Sequence, residues 1–167
     1  MADSVGTDRR GPPAGDKDLS GIFKTALGRE GTLEAMTSAG TMRFGYTILY
    51  VEDVSGSVTF YERAFGLKPR FVHESGDYAE LETGATALAF SSRRLLETLG
   101  KQPRPPRADA PVFEIAFTTD DVPAALERAL EAGATLKQKP EVMSWGQTVA
   151  YVADPDGFLV ELCTPVG

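Results

Sequence analysis

At 167 residues, 42% of them hydrophobic and 25% charged, the chain has the make-up of one globular domain or of two small modules sharing a core. Its net charge of −7 argues against non-specific binding to nucleic acid or to an anionic membrane surface. No apolar run approaches the ~18 residues of a membrane-spanning helix, the first residues are too polar for a secretory signal, and a single cysteine, Cys163, forbids an intrachain disulfide. The expected location is the cytoplasm.

Residues 1–41 read as an N-terminal extension. Their first part carries charges, Gly and Pro with little to bury, which predicts disorder. Leu19, Ile22, Phe23 and Leu27 have helical spacing, so part of the extension is expected to form a short helix. The pattern sharpens from Arg43 onward. Residues 43–51 alternate and are rich in Tyr, Ile and Val, predicting a strand. A helix is expected over 54–65, with Val58, Tyr61 and Phe65 on one face and Gly66 as its stop. Strands are expected near 68–74, 77–83 and 85–91, then a short helix at 92–99. These elements make a first module over 42–100, and the proline-rich and arginine-rich stretch 101–110 reads as an exposed linker.

A second module over 111–167 repeats the plan. Its strand at 111–118 leads to a helix at 121–132 stopped by Gly133, and strands follow near 134–142, 147–153 and 158–164. The tetrapeptide Asp154-Pro-Asp-Gly157 predicts the tight turn between the last two strands. In both halves an apolar strand runs into an aspartate, Asp53 or Asp121, placed to cap the next helix. A repeat of this kind means two similar modules. The fold class expected is α+β, with two βαβββ modules whose sheets curl around a cleft.

This order, with Leu49-Tyr-Val-Glu-Asp53 before a helix containing Phe60-Tyr61 and ending Phe65-Gly66-Leu67, resembles the vicinal oxygen chelate superfamily. That superfamily includes glyoxalase I, bleomycin-resistance proteins and extradiol dioxygenases. The closing stretch Asp154-Pro-Asp-Gly-Phe-Leu-Val-Glu-Leu162 is similar to its last hairpin. The resemblance implies the glyoxalase/bleomycin-resistance fold, a small-molecule ligand and a homodimer. It also implies four inward positions, on the first and fourth strands of each module, where metalloenzymes of the group place His or Glu. Carried onto this chain these are Tyr46, Leu88, Glu114 and Glu161.

Only Glu114 and Glu161 of that set are good metal ligands, and the single histidine, His73, falls on the second strand beside a turn. A zinc or iron centre built on several histidines is therefore excluded. The reading is a member lacking the metal-binding histidines, with no cofactor; the second option is a hard cation, Mg²⁺ or Mn²⁺, held by Glu114 and Glu161.

Steps of two from these positions extend the inward face. They add Ile48 and Tyr50, Phe90, and Leu159 and Cys163; Tyr78, Glu80 and Glu82 form a polar-aromatic set, with Gln147 and Tyr151 as its match and Trp145 at the rim. The candidate ligand-binding residues are thus Tyr46, Tyr50, Glu80, Glu82, Leu88, Phe90, Glu114, Trp145, Gln147, Tyr151 and Glu161. The tyrosines are equally consistent with core packing, and Glu80 and Glu82 with solvated surface. Glu114 and Glu161 stand between apolar neighbours on an inward face, which is costly for a carboxylate without a partner.

Two functions follow from these residues. The first is sequestration of a cationic or aromatic compound, such as an antibiotic, by aromatic faces and carboxylates. The second is a metal-independent or Mg²⁺/Mn²⁺-dependent lyase or isomerase, as in secondary metabolism. In it, Glu114 and Glu161 act as acid and base and Tyr46 donates to an oxyanion.

Overall fold

The computed structural model describes residues 42–166; the disorder and the short helix expected within 1–41 lie outside the described residues. Strand β1 (Tyr46–Val51) leads into helix α1 (Val54–Phe65), followed by β2 (Pro69–Val72), β3 (Tyr78–Leu81), β4 (Ala87–Ser92) and the short helix α2 (Arg93–Thr98). The second module runs β5 (Ile115–Thr118), α3 (Val122–Ala132), β6 (Thr135–Val142), β7 (Thr148–Ala153) and β8 (Leu159–Cys163). Both sheets have the same order, β1-β4-β3-β2 and β5-β8-β7-β6. In each, the first pair is parallel and the others antiparallel. This is the α+β, two-module architecture that the repeat predicts.

The caps expected from the sequence form. Asp53 accepts from the Ser55 amide and Asp121 from the Ala124 amide. Gly66 and Gly133 end the helices in the left-handed region at φ 72° and 112°, where a Cβ is costly. Several strands are shorter than expected, β5 most of all: residues 111–114 lie outside it, and its pairing with β8 starts at Ile115. Pro111 has no N–H to offer a ladder, and Val112 remains 96% exposed.

Helices α1 and α3 each cover one face of their own sheet and pack against each other. A single core results, joining Leu49, Val51, Leu81 and Phe90 of the first module to Val152, Val160 and Leu162 of the second. Tyr61 sits at its centre, fully buried, with its ring 5.0 Å from Phe90, 5.3 Å from Phe65 and 6.4 Å from Phe117 of β5.

The turn Asp154–Gly157 fastens the modules together. Asp154 accepts from Tyr61 Oη at 2.9 Å and from the Gly157 and Phe158 amides at 2.8 Å each. Two residues on, Asp156 accepts from the Glu52 amide and Ser57 Oγ, both at 2.9 Å, and Arg93 stands 3.6 Å away. Turn chemistry alone asks for one aspartate; here both aspartates also reach across to the first module. Among the described residues no helix is long and apolar enough to cross a membrane.

Candidate functional site

Each sheet has one face under a helix and one turned away from it, and strand register assigns residues to each. In the second module Ala116 pairs with Glu161 and Thr118 with Cys163, while Tyr151 and Val149 pair with Glu161 and Cys163 from the other side. Ile115, Phe117, Val160 and Leu162 belong to the core side. The open face therefore carries Glu161, Cys163, Tyr151 and Val149, with Glu114 just ahead of β5.

Glu161 is the centre of this group. Tyr151 Oη donates to its Oε2 at 2.5 Å, and the Cys163 thiol and the Glu114 carboxyl lie near enough to interact with it. Two carboxylates placed near each other repel, which disfavours the charged form. The limited desolvation of the exposed Glu114 first, and then Glu161, push the Glu114 carboxyl above its ordinary range. The hydrogen bond to Glu161 first, and then burial, raise the Tyr151 hydroxyl, which stays a donor. Burial, together with Glu161, pushes the Cys163 thiol up to about 11, so it is a packed thiol and not a nucleophile at neutral pH. Glu114 also lines a cavity of about 260 Å³ at the junction of β1 and β5, shared with Thr47, Leu88, Phe113 and Phe117. Trp145, 64% exposed, donates through Nε1 to Gln147 at 2.8 Å, and Gln147 donates in turn to the Thr164 carbonyl.

The first module differs in one respect from the expected inward face. Tyr46, Ile48 and Tyr50 pair with Ala87, Ala89 and Ser91, and Thr47 and Leu49 with Leu88 and Phe90. Leu88 and Phe90 therefore point under α1, 6% and 0% exposed, with the Phe90 ring against Tyr61. Placing them on the face of Tyr46 is corrected by one residue, and the position matching Glu161 is Ala89. Both are core residues, and Leu88 also lines the cavity at the β1–β5 junction.

Glu80 occupies the open face of β3, opposite Ala89. It is 4% exposed, and it accepts from Arg70 through Nε at 3.0 Å and NH2 at 2.5 Å and from Tyr78 Oη at 2.9 Å. Its charge is met within the chain, and it is not the solvated glutamate that its sequence context also allowed. Burial first, and then Glu80, raise the Tyr78 hydroxyl, and Tyr46 acts on both Tyr78 and Arg70. Tyr46 thus belongs with Arg70, Tyr78 and Glu80, in a different cluster from Glu114 and Glu161. Glu82 is exposed beyond the end of β3, and Tyr50 borders the linker. His73 is held in its turn by Ser75, at 2.9 Å between Nδ1 and Oγ.

The described residues include no group of three or more His, Cys, Asp or Glu placed to hold a metal ion. Tyr46, Ala89, Glu114 and Glu161, at the four positions that the resemblance singles out once the register is corrected, supply only two carboxylates. This set does not fit a four-ligand metal centre.

Fold and register define a protein of two paired βαβββ modules. The chain belongs to the Glyoxalase/Bleomycin resistance protein/Dioxygenase superfamily, which it matches over residues 43–162. It is 29% identical over 117 residues to the uncharacterized protein YraH of Bacillus subtilis, covering 68% of this chain and 91% of YraH. It is also 26% identical over 132 residues to the lactoylglutathione lyase of Salmonella typhimurium, covering 72% of this chain and 91% of that protein. Among solved structures, a glyoxalase-related enzyme from Fulvimarina pelagi superposes with a TM-score of 0.66 at 23% identity, covering 75% of this chain and 89% of that one.

Proposed function

We propose that the chain binds a small cationic or aromatic compound on the open face of its second module and sequesters it without a metal. The nearness of Glu114 to Glu161 carries this reading: a cation set between them gains two charge-assisted partners and relieves their repulsion. Tyr151 anchors Glu161, Trp145 offers an exposed aromatic face, and the cavity beside Glu114 gives an apolar body a place to enter. Glu80 takes no part, because Arg70 already neutralises it. The working unit is a homodimer.

The test is fluorescence titration with proflavine, a flat aromatic cation. The expected result is saturable binding that weakens about tenfold or more in Glu161→Gln, the loss of one charge-assisted hydrogen bond. Adding Mg²⁺ or Mn²⁺ should leave it unchanged. Affinity should rise with pH through the raised range of Glu114, because the cation competes with the proton on that carboxyl. Equal binding by wild type and Glu161→Gln would refute the site. The raised Glu114 carboxyl also favours a second reading, a metal-independent lyase or isomerase at the same pair. Glu114→Gln separates the two, weakening binding in the first case and abolishing turnover in the second.

A further inference from the structure

The segment joining the modules is not a free tether. A Cβ at Gly157 would stand 2.9 Å from the Pro106 carbonyl oxygen, so the linker is pressed onto the turn that latches the two modules. From there it closes over Ile48 and Tyr50 of β1 and, with Phe113 and Phe158, encloses a cavity of about 380 Å³. That volume lies within the range of small-molecule sites, and its walls are mostly apolar and aromatic. The charges at its mouth oppose those of the rest of the molecule. In a chain of net charge −7, Lys101, Arg104 and Arg107 occur with no acid among them before Asp109. Arg107 is occupied by Asp109, at 2.7 Å. Arg104 lines the cavity and forms no ion pair among the described residues.

We infer that this cavity is a second ligand site, for a planar aromatic carboxylate whose ring system enters between β1 and the linker and whose carboxylate pairs with Arg104. An apolar slot with one unpaired guanidinium at its mouth selects by charge as well as shape. A carboxylate meets the planar fork of donors in two hydrogen bonds, a neutral amide meets it weakly, and an ammonium is repelled. Phe113 lines both this cavity and the one beside Glu114, but Glu114 lines only the latter and Glu161 neither, so dependence on Arg104 and dependence on Glu161 are tested separately.

Calorimetry with naphthalene-2-carboxylate, its carboxamide and 2-naphthylmethylammonium tests the inference. The carboxylate should bind once per chain and at least tenfold more tightly than the amide, and the ammonium should not compete. Arg104→Gln, a change at an exposed side chain, should bring the carboxylate down to the affinity of the amide and leave the amide unchanged. Glu161→Gln should alter neither. Equal affinities for the three compounds, absence of carboxylate binding, or carboxylate binding that survives Arg104→Gln would each overturn it.

Discussion

Replacing Tyr61 by alanine should destabilise the protein by about 3–5 kcal/mol, the range for deleting a large buried ring. The ring is fully buried and touches aromatic side chains of both modules, Phe90 on one side and Phe117 on the other. Its removal opens a cavity at the joint core and leaves Asp154 without its side-chain donor. Tyr61→Phe separates the two contributions: it keeps the ring contacts and should cost about 1–3 kcal/mol for the lost hydrogen bond to a carboxylate. Urea unfolding of the three proteins at pH 7.5 measures both. A cost below about 1 kcal/mol for Tyr61→Ala would mean that the modules are not joined through this ring.

The second large effect is a dependence of stability on pH that arises in Asp154. Burial is the leading cause of its shift, with Asp156 adding to it; the bonds from Phe158, Tyr61 and Gly157 oppose it, and the net result is a carboxyl pushed up to about 6. A folded value above the unfolded 3.8 means that this group favours folding when protonated. Its contribution is complete below pH ~4 and is lost as pH rises through ~6. Between pH 7.5 and 4.5 the stability of the wild type should therefore gain about 2 kcal/mol relative to Asp154→Asn. Asparagine keeps an oxygen for the Gly157 and Phe158 amides and does not titrate. A difference between the two proteins that stays constant with pH would contradict the assignment.

The sequence conveys some of these features clearly and others not at all, for reasons visible in particular strands. The module repeat, both aspartate caps and both glycine stops were legible because each depends on neighbours a few residues away. In β8, polarity itself marks the faces, since Glu161 and Cys163 alternate with Val160 and Leu162, and the structure puts them where alternation places them. Strand β4 gives no such mark. All six of its residues are buried, so nothing in Ala87–Ser92 distinguishes one face from the other, and a slip of one residue exchanges the faces. Sequence alone therefore allows Leu88 and Phe90 on the inward face, where Ala89 stands.

Long-range compensation was equally hidden. Arg70 meets Glu80 through the pairing of β2 with β3, which the local sequence does not announce. The aspartates of the last turn were legible as turn residues, but their partners Tyr61, Ser57 and Glu52 lie roughly a hundred positions earlier in the chain. The linker reads as exposed because prolines and arginines dominate it, and only the approach to Gly157 brings it down onto β1.

The measurement closest to the central claim is a pH titration of the Glu114 side-chain carboxyl carbon by NMR, in the wild type and in Glu161→Gln. The account predicts that Glu114 titrates above its ordinary range in the wild type and falls back towards that range in the variant. A Glu114 carboxyl at its ordinary value in the wild type would show that Glu161 does not act on it, and the proposed site would lose its basis.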